Sequence, residues 1–156
     1  MVKRAVYAGS FDPFHNGHLY IYEQAKEIFD EVIILIANHP HKERYSNIGV
    51  TGESISRVIG NSICAILHDG LVADWCKGKG IGYLVRGLRS TSDYLYEEEV
   101  AKINSEIYTD LKTVYFRARD NAVSSTLVRL LHEQGQDISK YVPAGVVLTP
   151  HSTTPE

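Results

Sequence analysis

Residues 9–18 read Gly-Ser-Phe-Asp-Pro-Phe-His-Asn-Gly-His and concentrate groups that can act on an anion. Gly9 lets the backbone pass close to a ligand, and Ser10 offers both a hydroxyl and a backbone N–H. Asp12-Pro13 makes a tight turn and Gly17-His18 opens a helix. A helix N-terminus carries partial positive charge and free N–H groups, which suit a phosphate. His15 and His18, three positions apart, put their imidazoles on about the same side of that turn, facing the anion. Two other uses stay open: a pair of metal ligands, for which no third ligand sits nearby, and helix capping or packing. A nucleophilic histidine would need an orienting carboxylate that the segment does not obviously supply.

Three further segments carry charge or hydroxyls where they could meet the same ligand. Asn38-His39-Pro40-His41-Lys42-Glu43 places Lys42 after a strand, either as a solvated charge or as a grip on a second anion. Val85-Arg86-Gly87-Leu88-Arg89 puts two guanidinium groups three apart, between a buried strand and a helix. That is an expensive arrangement unless they meet anions, and guanidinium suits bidentate phosphate contact. Salt bridges to Asp93 or Glu97 are the alternative use. Ser124, Ser125 and Thr126 set successive hydroxyls at a helix start. One of them is enough for an N-cap; a second phosphate-binding helix N-terminus would account for all three.

These segments need a frame that brings them together. Short β-rich runs alternate with helical stretches, the pattern of a parallel sheet covered on both faces. Strands are predicted at Arg4–Ala8, Glu31–Ala37, Ile63–Leu67, Tyr83–Val85 and Thr113–Phe116. The unbroken apolar run Ile33 to Ile36 suits a strand buried on both sides. Helices are predicted at His18–Phe29, Gly52–Asn61, Leu71–Lys77, Thr91–Tyr108 and Ser124–Glu133, with Gly135 ending the fifth. A turn and a final brief helix are expected within Ile138–Val147, and 148–156 is expected to be a flexible tail. The reading is one α/β domain over 1–156, a Rossmann-like, doubly wound, parallel five-stranded sheet. In such a sheet ligands bind beyond the carboxyl ends of the strands, where the topology reverses. Each segment above follows a strand.

Composition narrows the partners. With 156 residues, 44% hydrophobic and 22% charged, the chain can bury an ordinary core without disulfides. A net charge of −3 gives no reason to expect nucleic acid, whose backbone demands a basic excess. Cys64 and Cys76 match no zinc or redox spacing, and the seven histidines are scattered. No apolar run reaches membrane-spanning length, and VKRAVYAG at the start lacks a signal-peptide core, so a cytoplasmic protein is expected.

GSFDPFHNGH resembles the (His/Thr)-x-Gly-His signature of the nucleotidylyltransferase superfamily, whose members attack the α-phosphate of a nucleoside triphosphate and release pyrophosphate. Taken with NHPHKE, RGLRSTSDYLYE, VSSTLVR and GQDISKYVP in that order, it is similar to the phosphopantetheine adenylyltransferase family over Lys3 to Val147. The RGLR…Asp-aromatic-x-Tyr-Glu segment is the most family-specific. That resemblance implies transfer of AMP from ATP to 4′-phosphopantetheine, giving dephospho-coenzyme A in coenzyme A synthesis. It implies Mg²⁺ as the companion of ATP, and a homo-oligomer, a homohexamer by family likeness.

By motif position it makes His18, Lys42 and Arg89 catalytic. ATP would meet Ser10, Phe11, His15, His18, Gly87, Leu88, Arg89, Glu97 and the run Asp120, Asn121, Ala122, Val123, Ser124, Ser125, Thr126. The phosphopantetheine side would meet Ser10, Lys42, Val72, Arg86 and Asn104. Three departures bear on the acceptor. His15 replaces the family's usual threonine, Asp120-Asn121-Ala122 replaces an aromatic and a serine, and the helix after Lys42 lacks its usual Thr-Leu-Glu-Glu-Arg. His15 is typical of the nicotinamide mononucleotide adenylyltransferase and cytidylyltransferase branches, which are the rival enzymes. A non-catalytic nucleotide-binding module is the rival from another class.

Overall fold

The computed structural model describes residues 2–38, 43–60, 64–119 and 123–150. Strands β1 (Arg4–Gly9), β2 (Glu31–Ala37), β3 (Cys64–Leu67), β4 (Tyr83–Leu88) and β5 (Lys112–Arg117) form one sheet in the order β3-β2-β1-β4-β5. Every pairing is parallel. Helices α1 (Asn16–Ile28), α2 (Ile48–Ile59), α3 (Val72–Lys79), α4 (Thr91–Ile107) and α5 (Ser125–Glu133) connect or follow the strands. The fold is Rossmann-like α/β, as expected.

Alternation along the central strands sorts side chains into two cores. Ala5, Tyr7, Val32, Ile34 and Ile36 pack with Ile21, Tyr22 and Ala25 of α1 and Ile55 of α2. Val6, Ala8, Ile33 and Leu35 pack with Ala73 and Cys76 of α3 and, more loosely, with Ile107 of α4. Ile34 is fully buried, so truncation to alanine would cost roughly 2–5 kcal/mol. A third cluster seats Val128 of α5 against Val142, Leu148 and Tyr45.

The chain runs outward from β1 through β2 to β3, then returns to place β4 on the other side of β1. The reversal opens a crevice beyond the carboxyl ends of β1 and β4, where a doubly wound sheet binds its ligand.

Several boundaries differ from expectation for identifiable reasons. Helix α1 begins at Asn16 rather than His18, because His15 is the cap. Helix α2 starts four residues early, at Ile48, since the Asn47 side chain accepts from Gly49 N and outweighs the weak propensity of Gly49 and Gly52. Strand β4 continues past Val85 to Leu88 because β5 pairs with it as far as Arg117. Gly135, at φ 73, closes α5 with Gln136 N bonded to Leu131 O, as its position suggested.

The brief helix expected within Ile138–Val147 does not form; turns at Ile138–Tyr141 and Pro143–Val146 take its place. Pro143 has no N–H and disfavours helical backbone at Val142, while Gly145 sits at φ 100. Nor is 148–150 a loose tail. Leu148 is buried, Thr149 N donates to Ser46 Oγ at 3.0 Å, and Pro150 bridges Ser46. Ile63 and residues 151–156 lie outside the described residues.

Candidate active site

A cavity of about 340 Å³ occupies the crevice, within the size range of small-molecule sites. Three separate segments line it: Gly9, Ser10 and Phe11 at the end of β1, Arg86, Gly87 and Arg89 at the end of β4, and Val123 to Thr126 at the start of α5. His15 and His18 at the start of α1 and Glu97 and Asp93 of α4 complete the wall. The expected residues Ser10, Phe11, His15, His18, Arg86, Gly87, Arg89, Glu97, Val123, Ser124, Ser125 and Thr126 therefore share one space. Leu88, Val72 and Asn104 do not line it. Val72 packs instead on the core under α3. Lys42, Asp120, Asn121 and Ala122 lie outside the described residues.

The turn after β1 is tightly built. Phe11 has φ 48, a left-handed conformation uncommon for an aromatic residue, and its ring is only 1% exposed. That ring lies 3.0 Å from where a Cβ on Gly9 would stand, so glycine is needed there. It meets Tyr7 and His18 edge-on, with centroids 5.1 and 4.9 Å away.

His15 and His18 form a reciprocal cap. His15 Nδ1 accepts from Gly17 N and His18 N, at 3.0 and 3.3 Å, while His18 Nδ1 accepts from His15 N at 3.1 Å. Asn16 N goes to Tyr141 O. The amides at the start of α1 are thus occupied, and the free donors expected there for a phosphate are spent on the cap. The helix dipole remains. Both histidines cap the helix, and both line the cavity. Burial, reinforced by the Arg89 charge, lowers the His15 pKa to about 4. Burial first, then the neighbouring His15, holds His18 well below the ordinary histidine value. With Nδ1 accepting in each ring, the neutral proton must sit on Nε2, so His18, which lines the cavity, is a neutral donor there.

The two arginines divide their work. Arg86 grips Glu97 through Nε and Nη2, both at 2.8 Å, and donates from Nη1 to Ala8 O at 2.6 Å. Its first anion is therefore Glu97, the alternative read from the sequence. Burial opposes its charge, and the bond to Glu97 raises its pKa nonetheless. Arg89 is 54% exposed and meets Asp93 through Nε at 3.3 Å. Its other N–H groups have no partner among the described residues. At α5, Ser124 caps Leu127 N at 3.0 Å. The amides of Ser125 and Thr126 come too early in the helix to reach a carbonyl of their own, and both residues line the cavity.

Sequence reasoning passed over Arg44, Arg129 and the carboxylate of Asp12. Asp12 accepts from Tyr45 N at 2.6 Å and Ser46 N at 3.0 Å, and Arg129 donates to Asp12 O at 2.7 Å. Only Asp12 gave a signal, as a turn former; its partners stand 33 and more positions away. Among the described residues no group of His, Cys, Asp and Glu is arranged to hold a metal ion.

Comparison with known proteins follows the same lines. The family model described as cytidylyltransferase-like matches residues 6–131. A phosphopantetheine adenylyltransferase of Paenarthrobacter aurescens is 39% identical over 94% of this chain and 90% of its own. One of Streptococcus pneumoniae is 37% identical over 93% of each. In fold, the chain is similar to a bifunctional NMN adenylyltransferase/ADP ribose pyrophosphatase from Francisella tularensis, solved with AMP and a manganese ion. The TM-score is 0.65 at 19% identity, over 91% of this chain and 44% of that one. A lipopolysaccharide core biosynthesis protein from Thermoplasma volcanium superposes with a TM-score of 0.58 at 17% identity, over 76% of this chain and 98% of that one. Matched along nearly its whole length, this chain belongs to the cytidylyltransferase-like nucleotidyltransferases and, within them, to the phosphopantetheine adenylyltransferase family.

Proposed function

We propose that the cavity beyond β1 and β4 transfers an adenylyl group from ATP to 4′-phosphopantetheine, with release of pyrophosphate. The observation that carries this reading is the meeting of His18, Arg89 and Ser125, from three distant segments, on one cavity.

The acceptor phosphate oxygen attacks the α-phosphorus of ATP in line, so no covalent nucleophile is required. Both reactants are anions, and repulsion and orientation are the main obstacles. Holding them together can supply about 7–11 kcal/mol of the barrier. Each fixed donor aimed at the developing charge can add roughly 3–4 kcal/mol. His18 would donate from Nε2 to the reacting phosphate, Arg89 would neutralise phosphate oxygens, and the Ser125 and Thr126 amides would cradle others. Lys42 and the outer N–H groups of Arg86 are proposed for the acceptor phosphate, with Val72 and Asn104 along the pantetheine arm. Asp120 to Ala122 are proposed for the adenosine side. Mg²⁺ would neutralise triphosphate charge, held through the nucleotide: the cavity carboxylates, Glu97 and Asp93, are already engaged by arginines.

Two side features belong to the same proposal. Leu95, Tyr96 and Ile103 of α4 and Leu127 and Leu130 of α5 expose apolar surface, which supports a homo-oligomer. Two free thiols accord with a reducing, cytoplasmic setting.

The test is a coupled pyrophosphate assay. ATP with 4′-phosphopantetheine should give turnover, while nicotinamide mononucleotide with ATP and glycerol phosphate with CTP should not. Turnover confined to either rival pair would overturn the acceptor assignment. In the same assay, Lys42→Ala should raise the acceptor KM, and an unchanged KM would remove Lys42 from the site.

A further inference from the structure

Arg44 lies outside the cavity, yet its side chain is 9% exposed and spends its guanidinium on three segments. Nη1 donates to Ser10 O at 2.7 Å, Nε to Ser46 O at 3.1 Å, and Nη2 to Thr51 Oγ1 at 2.7 Å in the first turn of α2. The carboxylate of Asp12 stands 3.9 Å away and itself binds the amides of Tyr45 and Ser46. A buried cation is costly unless paired and hydrogen-bonded, so so full a set of partners marks a built contact. Nothing in catalysis as described above employs it.

Its consequence lies in the peptide between Ser10 and Phe11. In a trans peptide the C=O and N–H point in opposite directions. Arg44 holds the Ser10 carbonyl, which fixes the Phe11 N–H on the opposite side of that peptide, and both residues line the cavity. Released, that peptide could rotate and set a carbonyl dipole against the incoming phosphates. Phe11 also sits at φ 48, a conformation that persists only where its surroundings over-determine it, and its ring braces His18 edge-on at 4.9 Å.

We propose that Arg44 is a positioning residue for adenylyl transfer: by anchoring the Ser10 carbonyl it fixes the turn that presents Phe11 N–H to phosphate and braces the His18 ring. The claim rests on the transfer reaction proposed above and acts through Ser10 and Phe11 rather than by touching nucleotide.

Arg44→Met should lower kcat about 10- to 100-fold per folded molecule, with the ATP KM within about threefold of the parent, the scale of loss from a small misplacement. Arg44→Lys keeps the charge beside Asp12 but cannot span three acceptors, and should lose kcat similarly. It serves as the readout if Arg44→Met fails to fold. Arg57→Met is the control, because Arg57 makes comparable bonds to Gly145 O and Ser54 Oγ away from the cavity. It should lose melting temperature and keep kcat. Parental kcat in a folded Arg44 variant overturns the proposal, as does an equal loss of kcat in Arg57→Met, which would make the effect one of general stability. An unmutated protein that does not turn over ATP and phosphopantetheine sinks the transfer reaction and this claim together. An active parent with active Arg44 variants sinks this claim alone.

Discussion

The imidazoles of His15 and His18 lie face to face, with centroids 3.7 Å apart and planes 17° from parallel, and each Nδ1 accepts the backbone N–H of the other residue. The arrangement fixes both tautomers and leaves one kind of polar atom, Nε2–H, for other work. His18 is thereby a preorganised donor at a cavity wall, and its protonation state is set by burial rather than by solvent.

His18→Ala should accordingly reduce kcat at least about 100-fold with little change in the ATP dissociation constant. Steady-state kinetics beside calorimetric titration of a non-hydrolysable ATP analogue would check it. A variant that kept its turnover and lost only affinity would remove the transition-state role.

Acid should weaken the fold through the same pair. Because the folded His15 pKa is lowered to about 4, the unfolded chain binds a proton that the native state does not between about pH 6.5 and 4. Stability is then fully present above pH 6.5 and falls with decreasing pH, by up to about 1.4 kcal/mol per unit for such a group. Urea titrations at pH 7.5 and 5.5 should show the loss, and His15→Asn, which preserves a capping side chain, should reduce the slope. Nitrogen NMR of the parent at both pH values should show a proton on Nε2 and none on Nδ1 of His18.

Arg86 and Glu97 form a pair whose halves should not be separable. Glu97→Leu leaves a guanidinium without its carboxylate and should cost roughly 2–4 kcal/mol, less than a fully buried pair because the Arg86 side chain is 32% exposed. Arg86→Met with Glu97→Leu should recover much of that stability while weakening substrate binding. Denaturant midpoints alongside KM values separate the two effects.

At α5 the neighbouring hydroxyls should behave differently. Ser124→Ala removes the cap on Leu127 N and about 1 kcal/mol, lowering the melting temperature by about 2–4 °C. Ser125→Ala, with no cap to lose, should leave the melting temperature within about 1 °C and raise the ATP KM. Equal thermal losses would show that both hydroxyls are structural.

Much of this site was legible along the chain because its signals are local. The apolar run at Ile33 to Ile36 and the helical spacing after His18 place the elements, and each polar segment follows a strand. Gly9, His18, Arg89 and Ser124 could be assigned to the one edge where they line a common cavity because strand-then-turn placement is a short-range property and a doubly wound sheet gathers such turns there. The cap at Asn47 and the stop at Pro143 were present too, but other local preferences obscured them.

What tertiary structure decided concerns partners far apart in the chain. Whether Arg86 meets Glu97 or a phosphate, whether the α1 amides are free or spent, and whether residues 148–150 dock on Ser46 depend on distances that no spacing encodes. Arg44 is the plainest case. In sequence it is one charge in a polar loop; in the fold, Ser10, 34 positions away, offers it a carbonyl. Periodicity reports which face of an element is buried. A hydrogen bond depends on ångström-scale approach between segments, and only the packed chain sets that.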